Sequence, residues 1–361
     1  MKGILRVGVA GCGIGKEHIR RFQQLPDQFE VRAVCDVDED KAKAAAKEFS
    51  IPVACTGVEQ LCAMEEIDLI DLCTPPFLHF DQIKAVIASG KHAFCEKPLA
   101  SSIAEVDELI ALEASAGGLR VMPIFQYRFG HGLQKLRYLV DLGLTGKAFL
   151  ATAETAWHRG SDYYSVPWRR NWATARGGCV LGHAIHAHDV LFYILGGARN
   201  VYARTATLVN PIEVEDCASI SLEMQSGALA SLSVTLGSVE EISRHRFCFG
   251  NLVAESNTAP YDNTADPWKF IGATPAVQKE IDDALRLFIP KPEGFAGQFT
   301  RFYDALENGS EAPVTLADAR ASLELVTAVY YSAEQGLSVD LPINRDHPRY
   351  GSWLPANVRA K

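Results

Sequence analysis

The stretch Leu5-Arg6-Val7-Gly8-Val9-Ala10-Gly11-Cys12-Gly13-Ile14-Gly15 decides the fold of this chain. A short apolar run ends in glycines, and an amphipathic segment follows from Lys16 to Leu25. Glycines between a buried strand and a helix let the backbone N–H groups at the helix start approach a phosphate closely. The stretch therefore predicts a parallel sheet whose first turn binds a pyrophosphate, although glycines also serve ordinary strand-to-helix turns.

Asp36 strengthens the nucleotide interpretation. It follows the apolar run Val31 to Cys35 and comes 23 residues after Gly13 (36 minus 13). A carboxylate at this place accepts both hydroxyls of an adenosine ribose and repels a 2′-phosphate. We therefore predict NAD as the cofactor and disfavour NADP. The alternative is a carboxylate at the start of the next helix, a function that Asp38 serves equally well.

The pattern of apolar runs divides the chain into two predicted domains. Short continuous strands alternate with amphipathic helices to about residue 122, which predicts an α/β Rossmann dinucleotide-binding domain over residues 1–122. Long alternating strands and late helices follow, which predict a substrate-binding and oligomerisation domain over residues 123–361. We expect a C-terminal α+β domain with an open, largely antiparallel mixed sheet.

The residue pattern of one strand in that second domain predicts an interface between copies of the chain. Ser231, Ser233 and Thr235 lie on one face of the run Leu229 to Leu236, whose other face is apolar. A face of small polar groups suits a second copy of the chain, so we predict a homodimer or homotetramer.

The segment Cys95-Glu96-Lys97-Pro98 follows the fourth strong strand signal, His92 to Cys95. Pro98 keeps Lys97 extended, so the lysine side chain leaves the sheet edge in a defined direction. Thr74-Pro75-Pro76 ends the preceding predicted strand, because the two prolines have no backbone N–H to donate to a neighbouring strand. Ligands of open α/β sheets lie at this carboxyl edge.

A second group of candidates lies between Gly177-Gly178 and Asp189. His183, His186 and His188 fall within six residues. On a helix, His183 and His186 share a face and His188 turns away, so we expect His188 to be a core histidine bonded to backbone. No third ligand stands at a helix-compatible spacing, so we predict no metal.

These motifs together resemble the Gfo/Idh/MocA oxidoreductases, the family of glucose-fructose oxidoreductase and inositol dehydrogenase. The resemblance implies that Lys97 and His186 are catalytic, with the imidazole as the proton acceptor. The inositol-dehydrogenase-like members have an aspartate four residues before that histidine, and this chain has Gly182 there. The residues predicted to bind the cofactor are Gly11, Cys12, Gly13, Ile14, Gly15, Asp36, Thr74, Pro75, His79, Glu96, Lys97, Trp168 and Arg169. His79 has an equal alternative as a polar residue that opens the next helix.

An aromatic and basic tract supplies the predicted substrate pocket. Aromatic faces and Arg or His hydrogen bonds hold sugar rings, although structural aromatics in a solvated loop give the same pattern. The predicted substrate residues are Lys97, Tyr127, Arg159, Tyr163, Trp168, His183 and His186.

Composition narrows the partners and the compartment. A formal net charge of -9 argues against nucleic acid and anionic membranes as partners, which favours a small polyol or sugar. Nine cysteines without a Cys-x-x-Cys pair indicate buried thiols in a reducing cytoplasm. No apolar run approaches the ~18 residues that span a bilayer, and the N-terminus has no signal-peptide core.

The predicted function is NAD-dependent dehydrogenation of a hydroxyl on a sugar, sugar acid or cyclitol. Two alternatives remain open for this fold: an NAD-dependent glycosidase that restores its cofactor in each cycle, and a catalytically silent NAD and sugar sensor.

Overall fold

The computed structural model describes residues 3–359, so the first two and the last two residues of the chain, which fall in the two predicted domains, lie outside the described residues. The chain forms two compact units. The first contains the residues up to Phe125 together with Phe295–Arg320, and the second contains Gln126–Gly294 with the residues from Ala321 onward. This differs from the predicted division at 122/123, because a late segment packs with the first unit.

The strands are β1 Leu5–Ala10, β2 Phe29–Cys35, β3 Val53–Cys55, β4 Leu69–Leu72, β5 His92–Cys95, β6 Val121–Pro123, β7 Ala148–His158, β8 Ala198–Ala206, β9 Cys217–Met224, β10 Leu229–Thr235, β11 Gly237–Phe249, β12 Leu252–Glu255, β13 Lys269–Gly272 and β14 Val339–Asp340. The helices are α1 Gly15–Gln23, α2 Glu39–Glu48, α3 Val58–Ala63, α4 His79–Ala88, α5 Ile103–Ser115, α6 His131–Asp141, α7 Ser161–Tyr164, α8 Trp172–Ala175, α9 Cys179–Gly182, α10 Ile185–Leu195, α11 Pro275–Leu287, α12 Gly294–Asn308, α13 Leu316–Gln335 and α14 Ala356–Arg359. The described part of the chain also contains three short 3-10 helices: Pro76–Leu78, Gln126–Phe129 and Pro167–Arg170.

The first unit is a Rossmann sheet, which confirms the predicted fold class. Its six strands lie in the order β3-β2-β1-β4-β5-β6, and every neighbouring pair is parallel. The chain leaves β1 towards one edge and returns through β4 to the other, so the strand order reverses between them. The carboxyl ends of β1 and β4 at such a switch point form the crevice in which dinucleotides bind.

Aromatic packing explains why α12 belongs to the first unit. The Phe299 ring stacks on Phe22 of α1, with ring centroids 4.2 Å apart, and on Phe94 of β5 at 5.3 Å. Phe302 meets Phe94 edge-on at 4.6 Å. Buried Gln298 donates to the Pro123 carbonyl (2.7 Å) and accepts from the Phe125 N–H (3.1 Å). The helix therefore supplies part of the apolar core and satisfies the end of β6.

The second unit contains an eight-stranded mixed sheet in the order β13-β12-β11-β7-β10-β9-β8-β14. The pair β7 and β10 is parallel and the other pairs are antiparallel, which confirms the predicted largely antiparallel mixed sheet. Along β10, Leu232 and Val234 are buried while Ser231 and Ser233 are exposed, which is the predicted alternation.

Within residues 3–359, no single helix is long and apolar enough to cross a bilayer. One bent pair, Trp172–Gly182 with Ile185–Leu195, reaches that length and composition only when its two parts are taken together.

Candidate active site

The glycine-rich turn after β1 has three glycines with three different environments. Gly11 has φ +100°, and a Cβ there would lie 2.4 Å from the Cys73 carbonyl oxygen, so the tight turn requires glycine. A Cβ on Gly15 would lie 3.0 Å from Val9 Cγ1, so this glycine lets α1 pack on β1. A Cβ on Gly13 would meet nothing within 4 Å, which leaves its backbone open to a ligand. These residues fit a dinucleotide pyrophosphate, whose turn has the same three requirements.

Asp36 lies beside this turn at the end of β2. Its carboxylate accepts from the Cys12 N–H (2.9 Å) and from the Asp38 N–H (3.0 Å). The cap of α2 is Asp38, whose side chain accepts from the Lys41 N–H at 3.2 Å. The helix-capping alternative therefore falls to Asp38, and half-exposed Asp36 remains at the place where a ribose carboxylate is expected. Ile14, in the glycine-rich turn, is exposed and is the residue that immediately precedes α1.

His79 joins two loops at the carboxyl edge of the sheet. Its ring is fully buried, with Nδ1 2.8 Å from the Pro98 carbonyl and Nε2 2.8 Å from the Thr74 carbonyl. Burial lowers the pKa of His79, and a neutral imidazole donates to only one of these carbonyls. Both ring nitrogens thus face backbone, so His79 is placed to hold the Thr74-Pro75 loop and not to reach a ligand with its ring.

Lys97 lies just past the end of β5. It is half-buried, its N–H donates to Glu96 Oε2 (3.1 Å), and the Lys97–Pro98 peptide bond is cis. Burial lowers the pKa of Lys97, and the Glu96 carboxylate opposes that shift. A lysine with a lowered pKa at the ligand edge of an α/β sheet is typical of a proton-handling residue.

The first unit also brings together three side chains of the types that bind metals. The ligand atoms of His18, Asp71 and Cys73 lie within 4.8 Å of one another, and all three residues are buried. His18 Nδ1 and Asp71 Oδ2 are 2.8 Å apart. This distance is that of a hydrogen bond. It is shorter than the ~3.3 Å that separates two ligand atoms on tetrahedral zinc with ~2.05 Å bonds.

In the second unit, Gly178 starts the histidine-rich segment and is pressed against Glu215. A Cβ on Gly178 would lie 1.8 Å from the Glu215 carbonyl oxygen. The buried Glu215 carboxyl accepts from the Gly178 N–H (3.0 Å), the Val180 N–H (3.0 Å) and the Tyr330 hydroxyl (2.9 Å). Burial raises the pKa of Glu215 to about 7. No sequence pattern pointed to Glu215, because its partners are distant in the chain.

His186 is held on α10 by the short helix Gln126–Phe129. The Tyr127 ring stacks on the imidazole, with centroids 4.6 Å apart and planes 17° from parallel. The next residue, Arg128, donates from Nε and Nη2 to Asp189 at 2.8 and 2.5 Å, and both side chains are buried. Two adjacent residues therefore fix both the ring and the helix that carries it.

The predicted geometry of the other two histidines was wrong. His183 and His186 do not share a helical face, because α9 ends at Gly182 and α10 begins at Ile185. His188 is buried as predicted, but neither of its ring nitrogens has a hydrogen-bond partner within residues 3–359. Burial lowers the pKa of His188 to about 3, so the ring is neutral. A Cβ added to Gly182 would meet nothing within 4 Å.

Arg159 is surrounded by aromatic rings. Its guanidinium carbon lies 5.1 Å from the Trp157 ring centroid, 5.5 Å from Tyr163 and 5.6 Å from Tyr261. Its Nη1 donates to Glu241 at 2.9 Å. Tyr261 follows β12 and was not predicted as a site residue, because nothing in the local sequence links it to Arg159. The arrangement fixes a cation in one orientation.

His183, Trp168 and Arg169 join this cluster through Tyr163. The His183 and Tyr163 rings have centroids 5.4 Å apart, and the Arg169 guanidinium lies 4.3 Å from the Tyr163 ring. Arg169 also lies 5.4 Å from its neighbour Trp168. The structure thus brings four of the predicted substrate residues of the second unit into one cluster: Arg159, Tyr163, Trp168 and His183.

Two family models match the chain. One is described as "Oxidoreductase family, NAD-binding Rossmann fold" and matches residues 5–125. The other, "GFO/IDH/MocA C-terminal domain", matches residues 133–248. Together they cover most of both units.

Among the relatives, D-xylose 1-dehydrogenase (NADP(+)) 2 of Haloferax volcanii is 29% identical over 344 residues, 94% of this chain and 99% of the relative. Myo-inositol 2-dehydrogenase of Thermotoga maritima is 28% identical over 232 residues, 62% of this chain and 66% of the relative. Among solved structures, the WlbA dehydrogenase of Bordetella pertussis in complex with NADH and UDP-GlcNAcA has a TM-score of 0.82 and 27% identity, covering 94% of this chain and 100% of that one.

Proposed function

Because the chain belongs to the Gfo/Idh/MocA family of NAD-binding oxidoreductases, we propose that it oxidises a hydroxyl of a sugar, sugar acid or cyclitol by hydride transfer to NAD. Relatives named for xylose and inositol, and a structural neighbour with a bound UDP-sugar acid, support a polyhydroxylated substrate. Exposed Gly13 backbone beside Asp36 supports the cofactor end of the proposal.

One observation carries the proposal: Lys97, with a lowered pKa, lies at the carboxyl edge of the dinucleotide-binding sheet. NAD, when bound, supplies the acceptor for the hydride. In our proposal Lys97 donates a hydrogen bond to the substrate oxygen and stabilises its developing negative charge. His186 takes the hydroxyl proton, because an imidazole titrates near neutrality. The stack on Tyr127 keeps its ring in one orientation.

Substitution of the two proposed catalytic residues tests their roles. Lys97→Ala and His186→Ala should each lower kcat by ~10² or more if they act in proton transfer and positioning. The matched controls are Lys84→Ala, which removes a half-exposed lysine, and His158→Ala, which removes an exposed histidine. Near-wild-type turnover in either test variant would refute that residue's role.

The substrate class is tested with a panel of sugars, uronates and cyclitols, with NADH formation followed by absorbance. Steady accumulation of NADH supports the dehydrogenase. Turnover without net NADH would indicate the NAD-dependent glycosidase. Tight cofactor binding without turnover of any polyol would indicate the sensor.

We also propose NAD over NADP, on the basis of Asp36. Its carboxylate lies beside the pyrophosphate turn and would repel a 2′-phosphate. Asp36→Ala should reduce the ratio of kcat/KM for NAD over NADP by roughly tenfold or more, since one unfavourable charge contact is removed. A wild-type enzyme that uses NADP as well as NAD would contradict the proposal.

For the assembly, we propose a homodimer or homotetramer through the open face of the second unit's sheet. Leu150 and Leu229 are about half exposed on this face, close to exposed Ser231 and Ser233. Leu229 pairs with Leu150 across β10 and β7, so the apolar residues are contiguous. A monomeric mass by sedimentation at micromolar concentration would refute the proposal.

We further propose a reducing, cytoplasmic setting. All nine cysteines are free thiols, and five of the six in the first unit are buried. A disulfide detected by mass spectrometry of the freshly isolated, unreduced protein would contradict this setting.

A further inference from the structure

The geometry points to His18 as a positioning residue that bridges Asp71 and Glu96 and thereby holds the Glu96 carboxylate beside Lys97. This inference rests on the proposed catalytic role of Lys97. His18 lies on α1, Asp71 on β4, and Glu96 directly after β5. Three separate elements of the first unit therefore meet at one imidazole.

The distances define a continuous chain of hydrogen bonds. His18 Nδ1 lies 2.8 Å from Asp71 Oδ2, and His18 Nε2 lies 3.2 Å from Glu96 Oε1. The other Glu96 oxygen, Oε2, accepts from the Lys97 N–H at 3.1 Å. The imidazole thus occupies one side of the Glu96 carboxylate, and the Lys97 backbone occupies the other.

The surroundings of His18 favour a ring that is protonated on both nitrogens, since each nitrogen faces a carboxylate. The groups packed against it are Asp71 from β4, Cys73 just after β4, Glu96 after β5, and the rings of Phe295 and Phe299 from α12. Burial opposes the charged ring, but Asp71 and then Cys73 outweigh it and raise the pKa of His18 well above its ordinary value. A buried imidazolium between two carboxylates is a strong and directional link.

Such a link is more than the α1 packing needs. An apolar side chain between Phe295 and Phe299 would fill the same space without burying charges, and a buried ion pair is seldom a net source of stability. Asp71 Oδ1 is buried and has no partner within residues 3–359, so the site bears an additional polar cost. The arrangement is therefore better explained by the orientation that it imposes on Glu96.

The consequence for Lys97 passes through Glu96. The Glu96 carboxylate raises the pKa of Lys97 against the effect of burial. If Glu96 lost the bond from His18, its carboxylate would be held less firmly and would take up a proton more readily, and the pKa of Lys97 would change with it. His18 thus acts on the proposed proton-handling lysine without touching the substrate.

Two substitutions at His18 separate the two halves of the bridge. The Asn side chain places an amide where Nδ1 lies, so His18→Asn keeps the Asp71 bond and loses the Glu96 bond. The Gln side chain reaches the position of Nε2, so His18→Gln keeps a donor towards Glu96. We expect His18→Asn to lower kcat about tenfold and to shift the kcat–pH profile, and His18→Gln to restore most of both.

A double-mutant cycle tests the path through Glu96. His18→Asn and Glu96→Gln should shift the pH profile similarly, and the double variant should be no worse than the worse single variant. Glu113→Gln, which alters a half-buried carboxylate of the first unit that accepts from the Val121 N–H and takes no part in the bridge, is the matched control and should keep the wild-type profile. Additive losses, or equal losses in His18→Asn and His18→Gln, would overturn the inference.

A readout without turnover keeps the inference separate from the proposed function. Imidazole ¹⁵N NMR of the wild-type protein should show both His18 nitrogens protonated between pH 6 and 8. A neutral ring, or one equivalent of a bound transition metal in the purified protein, would overturn the bridge. If Lys97→Ala keeps full activity while the NMR result holds, the proposed role of Lys97 fails and the bridge stands.

Discussion

Asp189→Asn should cause a large loss of stability in the second unit. The Arg128 and Asp189 side chains are 6% and 1% exposed, and two hydrogen bonds of 2.8 and 2.5 Å join them. The substitution removes the carboxylate charge that pairs with the buried Arg128 guanidinium. Removal of one partner of a buried pair costs about 3–5 kcal/mol. For a unit of this size that is a fall in Tm of roughly 6–20 °C.

The exposed pair Arg199–Glu223 provides the control. Its side chains are 61% and 36% exposed, so Glu223→Gln should cost below about 1 kcal/mol. A double variant, Arg128→Met with Asp189→Leu, should recover most of the stability because neither charge remains buried.

Thermal and urea unfolding followed by circular dichroism measures all these variants. We also expect kcat of Asp189→Asn to fall at temperatures where the protein is still folded, because Arg128 anchors the helix whose Tyr127 stacks on His186. The reasoning is refuted if Asp189→Asn costs no more than Glu223→Gln, or if the double variant is as unstable as the single one.

The remaining predictions concern the segment around α9. Gly178→Ala should cost roughly 1–3 kcal/mol or more because its Cβ would clash with the Glu215 backbone, whereas Gly182→Ala, in open space, should be neutral or stabilising; urea unfolding compares them. Gly182→Asp should fold normally and move the acidic limb of the kcat/KM profile to higher pH, because a carboxylate near His186 favours the imidazolium; an unchanged profile would show that the added carboxylate does not reach the histidine. Glu215 has a folded-state pKa of about 7 against an ordinary value of 4.5, so its contribution to stability is complete below pH 4.5 and falls by roughly 3 kcal/mol as the pH rises to 7. The unfolding free energy of the wild type minus that of Glu215→Gln should fall in this way from pH 4.5 to 7. A difference that does not change with pH would contradict the prediction.

The Rossmann sheet was predictable because its information is local. The Val7 to Gly15 stretch shows a strand, a turn and a helix start within one short window, and Asp36 marks the end of the next strand. The exposed serine face of β10 was equally predictable, because polar and apolar residues alternate along this strand and successive side chains point to opposite faces.

The candidate site was only partly predictable, because much of it depends on residues that are distant in sequence. His183 and His186 were placed on one helix from their spacing, but the backbone breaks between α9 and α10, where His183 lies. Tyr261 reaches Arg159 from a loop 102 residues away, and Glu215 reaches Gly178 across 37. No periodicity or spacing rule connects such pairs.

The packing of Phe299 on Phe22 and Phe94 sets an order of events during synthesis. The first unit lacks part of its apolar core until α12 has been translated, and 169 residues (294 minus 125) separate Phe125 from that segment. At ~5–20 residues per second, the nascent sheet waits roughly 8–34 s with its Phe22 and Phe94 surface uncovered. A fragment that ends at residue 125 would expose the same surface permanently. The N-terminal half of this protein is therefore completed only after most of the C-terminal half has been made.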